Sequence, residues 1–339
     1  MAHEGSTRML NLDDVRRAEE TIAGRVHRTP LLYSRTFSAM AGHEVYLKCE
    51  NLQKTGSFKP RGALNRIAHL SREDRRRGVL AASAGNHSQG LAYAAAAWSI
   101  PVTVVMPEAA ATAKIEATRA MGAEVILSGE IFDDSLATAL ELQAERALTF
   151  VHPCTDPEVA AGAGTVGLEI VDELPEVDAV VVPIGGGALL AGIATAVRGV
   201  RPQARVWGVE PETAPAMERS LGAGRLVQLD TAVSIADGMA GRAVFQYTLD
   251  HAKKLCAGIR LVSEAALLES ICLLLSRAKL LTEAAGAAPL AAILDGLPDL
   301  PSGSRVVAVL SGGNLDLGRL AEWIRDGLAG GDTHGSVVD

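Results

Sequence analysis

Lys59 stands between a strand-like run, Val45-Tyr46-Leu47-Lys48-Cys49-Glu50-Asn51, and a stretch with apolar residues at helical spacing, Ala63, Leu64, Ile67 and Leu70. A lysine at such a junction can form an imine with a carbonyl compound if a closed cleft, or a neighbouring cation such as Arg61, lowers its pKa. Thr55, Gly56 and Ser57 offer N–H groups and hydroxyls just ahead of the helix start, where anions bind. Pro60 falls in the first helical turn, where its missing N–H costs little. Read alone, Lys59 fits a solvated helix-start lysine better than a reactive one. Three further stretches change that reading. Ser83-Ala84-Gly85-Asn86-His87-Ser88-Gln89-Gly90, Gly185-Gly186-Gly187-Ala188-Leu189 and Ser311-Gly312-Gly313-Asn314 each follow an apolar run. Each puts glycines and small polar residues past the carboxyl end of a buried strand, where ligands bind in open α/β sheets.

Positioning these residues requires strands and helices in alternation. The spacing predicts a helix over 12–26, with Asp13 and Asp14 near its start, then an extended segment from Thr29-Pro30-Leu31. It predicts strands at 79–84, 102–106 and 125–127, with helices at 89–99, 112–121 and 135–147. A second series begins near Thr149, with strands at 150–152, 179–184, 206–209, 259–262 and 306–310. The longest helix is expected over 265–283. This order predicts parallel sheets with right-handed crossovers in two α/β lobes. Residues 1–10 read as a disordered leader and the stretch from Gly330 onward as a loose tail.

At 339 residues the chain can bury a large core, and its aromatic content of 4% suits helix-covered parallel sheets. A net charge of -8 with mixed signs argues against nucleic-acid binding. No apolar run is long enough to span a membrane, and the N-terminus lacks a signal-peptide core. Cys49, Cys154, Cys256 and Cys272 show no close paired spacing and read as reduced thiols of a cytoplasmic protein.

Together the four stretches resemble the threonine dehydratase and serine racemase group of pyridoxal-phosphate enzymes, the fold-type II or tryptophan-synthase-β-like family. The resemblance covers residues 10 to 325, with the motifs in the family's order. It implies two three-layer α/β/α lobes with mostly parallel sheets and the cofactor in the cleft between them. The large domain would comprise 1–48 plus 149–339, and the small domain 49–148. It implies Lys59 as the imine lysine, Gly185, Gly186, Gly187, Ala188 and Leu189 as the phosphate loop, and Ser311 as partner of the pyridine nitrogen. Asn86 would meet the ring oxygen, and Glu283 would lie near the ring. The turn of Ser83, Ala84, Gly85, Asn86 and His87, with Ser57, would hold the substrate carboxylate. The family usually has a fourth glycine where Ala188 stands, which is tolerable if φ there is negative.

A neutral hydroxyl at Ser311 cannot hold the pyridine nitrogen protonated as a carboxylate would. The weaker electron sink suits elimination. Around Glu210 the sequence resembles the family's cation site, but Ala216 replaces its second acid. Hard cations want several oxygens. The expectation is therefore no tight divalent site, only a weak or monovalent ion through Glu210 and Ala214. Serine racemases carry a serine where this chain has Ala84, and racemisation needs proton traffic on both faces of the α-carbon. The resemblance thus implies a β-eliminating ammonia-lyase taking L-threonine to 2-oxobutanoate and ammonia, with L-serine to pyruvate second. Alternatives are a dehydratase for 3-hydroxyaspartate, phenylserine or a hydroxyectoine-derived compound, a serine racemase, or a silent pyridoxal-phosphate-binding protein. A small amino acid is the expected partner, and a homodimer or homotetramer the expected assembly. The chain ends soon after the second series, so no isoleucine-binding effector domain is expected.

Overall fold

A computed structural model describes residues 8–130 and 132–329. Most of the predicted leader and all of the tail from Gly330 lie outside the described residues. The strands are β1 (Leu31–Tyr33), β2 (Glu44–Lys48), β3 (Val79–Ala82), β4 (Val102–Met106), β5 (Glu124–Leu127), β6 (Thr149–Phe150), β7 (Ala179–Pro183), β8 (Arg205–Pro211), β9 (Gly258–Val262) and β10 (Arg305–Val309). They form a six-stranded sheet in the order β1-β2-β10-β7-β8-β9 and a four-stranded sheet in the order β5-β4-β3-β6. All pairings are parallel except β1 with β2. Every residue of β3, β4 and β7 is buried, which is why these strands read as unbroken apolar runs.

The helix Pro157–Glu173 is the longest among the described residues, and its small residues set how the parts approach. A Cβ on Gly162 would lie 2.4 Å from the Arg61 carbonyl oxygen, and one on Gly62 would lie 2.5 Å from that of Val159. Gly192 meets the Ala160 carbonyl in the same way, at 2.3 Å. Glycines therefore seat the helix Lys59–Ala68 and the helix Ala188–Val200 directly on the backbone of this helix.

Two predicted helices are shorter than their periodicity suggested. The first ends at Ile22, and Gly24 follows with φ 72°. The apolar stretch over 265–283 is helical through Glu264–Leu273, widens to a π-turn at Leu274–Ala278 and stops at Lys279, whose φ is 61°. Beyond it the Leu281 carbonyl accepts from Asn51 Nδ2. A long-range partner thus claims backbone that a helix would have used.

At the crossing beside Lys59, Arg61 is fully buried. It donates to both oxygens of Glu50 at 2.8 Å, to Glu169 at 2.6 and 3.0 Å, and to Thr165 Oγ1 at 3.1 Å. Lys48 Nζ, also buried, donates to Glu169 at 2.6 Å. Burial pushes Glu50 up, but Arg61 outweighs it and holds the carboxyl below its usual range. Removing one member of such a buried network leaves uncompensated charge, typically costing about 3–5 kcal/mol. Arg61→Met should lower stability by that amount, read as a fall in the urea midpoint at unchanged m-value. A shift under about 1 kcal/mol would show that Glu50 and Glu169 find other partners.

Candidate active site

Strand ends bring the site together. Ser83 to His87 follow β3, the glycine loop follows β7, and Ser311 follows β10. They surround a cavity of about 420 Å³ that Lys59, Ser83, Ala84, Gly85, Asn86, His87, Gly185, Gly186, Gly187, Ala188, Leu189, Glu283 and Ser311 all line.

Lys59 opens its helix and is half-buried at the cavity wall. Burial holds its ammonium below the usual lysine value, against the pull of Cys154 and Glu283. Arg61 has no part in this, because it points into the buried network. The helix Asn86–Ala96 presses on Lys59 from the side, with Gly90 so placed that a Cβ would lie 2.8 Å from Lys59 Cβ.

The glycine loop is a cradle that side chains would fill. A Cβ on Gly185 would lie 2.4 Å from the Gly238 carbonyl oxygen, and one on Gly186 would lie 2.0 Å from Cys154 Sγ. Gly187 has φ 94° and caps the helix Ala188–Val200 without a side-chain bond. That helix's first N–H groups are thus left for an anion. Ala188 begins the helix and is absent from the positive-φ residues, so its methyl is accommodated.

Asn86 links the far wall. Its Nδ2 donates to Glu283 Oε1 at 2.7 Å, and its Oδ1 accepts from Asn314 Nδ2 at 2.8 Å. Burial, then Asp237, pushes the Glu283 carboxyl up to about 7, with the Asn86 bond pulling the other way. His87 is a packed histidine. Its Nε2 meets the Val151 carbonyl at 2.9 Å, and burial together with Lys59 pushes it down to about 3. Ser311 is buried at the cavity wall, and its carbonyl accepts from the Phe58 N–H.

Some expected residues lie elsewhere. Ser57 is completely buried, pairs with Gly312 in an isolated antiparallel bridge and does not line the cavity. Thr55 and Gly56 are likewise outside the lining, and the Gly56 N–H is spent on the Gln53 carbonyl. Glu210 and Ala214 lie away from the cavity, and the Glu210 oxygens accept the N–H groups of Met217 and Glu218. No group of three or more His, Cys, Asp or Glu among the described residues could hold a metal. No helix among them is long and apolar enough to cross a membrane. Sequence reading missed Phe58, Lys114, Cys154, Asp237 and Met239, which also line the cavity. Lys114 follows the carboxyl end of β4, so its position past a buried strand was the available signal.

Comparison with known proteins agrees with this geometry. A family model described as "Pyridoxal-phosphate dependent enzyme" matches residues 22–312. An L-threonine ammonia-lyase of Thermotoga maritima is 47% identical over 320 residues, 94% of this chain and 79% of that one. A catabolic L-threonine dehydratase of Escherichia coli is 41% identical, covering 92% of this chain and 95% of that one. Among solved structures, the threonine deaminase of T.th. superposes with a TM-score of 0.86 at 43% identity, covering 91% of this chain and 99% of that one. Maize serine racemase superposes at 0.90 with 32% identity, covering 95% and 99%. The cavity residues fit the cofactor of this family: a half-buried lysine stands in the same cavity as a side-chain-free anion cradle at a helix N-terminus. The chain belongs to the pyridoxal-phosphate dependent enzyme family.

Proposed function

We propose that this protein is an L-threonine ammonia-lyase that also accepts L-serine. The observation that carries the reading is Lys59, uncharged more readily than an ordinary lysine, in one cavity with the glycine cradle, Asn86 and Ser311. The curated relatives named as threonine ammonia-lyase or dehydratase, 41–47% identical over most of the chain, support it. Pyridoxal phosphate, when bound, supplies the conjugated system that takes up electrons as the bond at the α-carbon breaks.

The N–H groups of Gly185 to Leu189 would hold its phosphate, Ser311 its ring nitrogen and Asn86 its ring oxygen. Glu283 would keep the Asn86 amide oriented. The helix Asn86–Ala96 has no side-chain cap, so its first N–H groups are free for the substrate carboxylate. The lowered pKa of Lys59 makes Nζ a more available base for the α-proton than an ordinary lysine. Loss of the β-hydroxyl as water leaves an enamine, which takes water back to give 2-oxobutanoate and ammonia. A neutral Ser311 beside the ring nitrogen would not hold it protonated as a carboxylate would, which suits elimination of a leaving group. We assign the four-stranded unit to the smaller domain and the remainder to the larger, with the expected boundary of 49–148 moved to Phe150 because β6 pairs with β3.

Purified protein incubated with pyridoxal phosphate should absorb in the visible range and release 2-oxobutanoate from L-threonine. Lys59→Ala should abolish both turnover and that absorbance. An unchanged spectrum in the variant would remove Lys59 from the reaction, and no 2-oxoacid from L-threonine would remove the substrate assignment.

Ala84 decides between lyase and racemase. It lines the cavity with no proton to give. L-serine should yield pyruvate with D-serine as a minor product, and Ala84→Ser should raise D-serine formation. A placed general acid typically contributes about a hundred-fold or more. Chiral chromatography measures both, and rapid D-serine formation by the unmutated protein would defeat the lyase reading.

Any cation at Glu210 and the Ala214 carbonyl would be weak or monovalent. Burial pushes Glu210 up to about 7, and backbone donors occupy its oxygens. Millimolar EDTA should change activity less than several-fold. A complete loss that Mg²⁺ reverses would show a divalent site.

A further inference from the structure

The two sheet units are fastened by ion pairs of two kinds. Outside the cavity lining lie Arg61 with Glu169 and Arg66 with Asp156, all of them at least three-quarters buried. At the cavity Lys114 Nζ donates to Asp237 Oδ2 at 3.1 Å, and the two side chains are 31% and 55% exposed. Both residues also line the cavity. A pair that touches cavity and solvent stands at the mouth.

Its members come from opposite units. Lys114 is in the first turn of the helix Thr112–Ala120, between β4 and β5 of the four-stranded sheet. Asp237 opens the short 3-10 turn Asp237–Met239, between β8 and β9 of the six-stranded sheet. Asp237 Oδ1 accepts the Gly238 N–H at 2.8 Å, which holds the carboxylate while Oδ2 meets the lysine. A cation in the first turn of a helix opposes the helix dipole. This helix also begins at Ala111, which gives it no side-chain cap. The stability of the helix does not account for a lysine there, whereas Asp237 across the mouth does.

We propose that Lys114 and Asp237 are positioning residues, a cross-cleft latch that holds the cavity closed over bound substrate and parts to admit it. An exposed ion pair is weak, and the role needs weakness. Opening a pair buried like Arg61 and Glu50 would leave uncompensated buried charge each time. An exposed pair biases the closed form over the open one by about two- to five-fold. Where the substrate is gripped in the closed form, that factor passes into KM.

This inference rests on the cavity being the active site, so its test includes a readout independent of turnover. Backbone hydrogen exchange in the helix Thr112–Ala120 should quicken in Lys114→Met and in Asp237→Asn. The exchanged-charge double variant, Lys114→Asp with Asp237→Lys, should slow it again. KM for L-threonine should rise about two- to five-fold in each single variant. In both, the change in KM should exceed any change in kcat, and high salt should erase the KM difference from the unmutated protein. The double variant should recover most of the KM. Unchanged exchange and KM in the single variants, or a double variant no better than they are, would overturn the latch. If L-threonine is not turned over, the exchange measurement alone decides the latch, and the functional reading falls separately.

Discussion

Arg61 binds two carboxylates that solvent does not reach, and the placement of Lys59 depends on that pairing. Both residues lie in the first turn of one helix. Successive residues of a helix are about 100° apart, so positions 59 and 61 point about 200° apart. With Arg61 gripping Glu50 and Glu169 on one side, Lys59 must face the other. The same network ties β2, through Lys48, to the helix Pro157–Glu173. Glycine contacts between the two helices bring the backbones close enough for the guanidinium to reach. Burying ions costs desolvation that direct pairing only offsets, so this network is poorly explained as a source of stability alone. Its value lies in fixing one geometry, since any shift of the helix breaks several charge-assisted bonds at once.

The cavity uses burial in the opposite sense. Around Arg61 every charge has a partner; around Lys59 charges are starved of one. Desolvation dominates each of the shifts there: Lys59 and His87 down, Glu283 and Cys154 up. His152, which accepts the N–H groups of Cys154 and Thr155 close by, is pushed down to about 4. Burial thus disfavours the charged form of each group here, which leaves Lys59 a more available base than an ordinary lysine, while a carboxyl near 7 can hold an amide through either of its forms. One helical turn thus faces a paired, charged network on one side and a cavity that disfavours charge on the other.

What sequence reading could see was local. Glycines and small polar residues past strand ends sit within a few positions of one another, and Lys59, Asn86, the glycine loop, Glu283 and Ser311 do share one cavity. What it could not see was tertiary. Arg61 looked like a cation for Lys59 because they are two residues apart. Its true partners lie 11 and 108 residues away, and nothing in their local sequence marks them. Ser57 looked like part of the carboxylate-binding turn; in the fold its backbone bridges Gly312, and it lies outside the cavity lining. The helix expected through 283 failed because residues after Lys279 are held by Asn51 and by the carbonyl of Gly312. No Gly or Pro announces that break. Lys114 and Asp237 are 123 residues apart and belong to different sheet units, so their pairing is invisible without the fold.

The fold itself does not choose the reaction. Maize serine racemase superposes more closely than the threonine deaminase of T.th., at TM-scores of 0.90 and 0.86. Sequence identity runs the other way, at 32% and 43%. Backbone agreement at that level means both chemistries are available to one scaffold, and the choice falls to side chains at the reacting carbon. Elimination needs one base and a leaving group, whereas racemisation needs a proton donor on each face. In the proposed site Lys59 would serve one face. On the turn that follows β3, Ala84 offers only a methyl, between Ser83, whose hydroxyl accepts the Gly85 N–H, and the glycine that caps the helix Asn86–Ala96. In the proposed site a missing proton donor at Ala84 would bias such a scaffold toward the lyase, and a neutral Ser311 at the ring nitrogen would add to that bias.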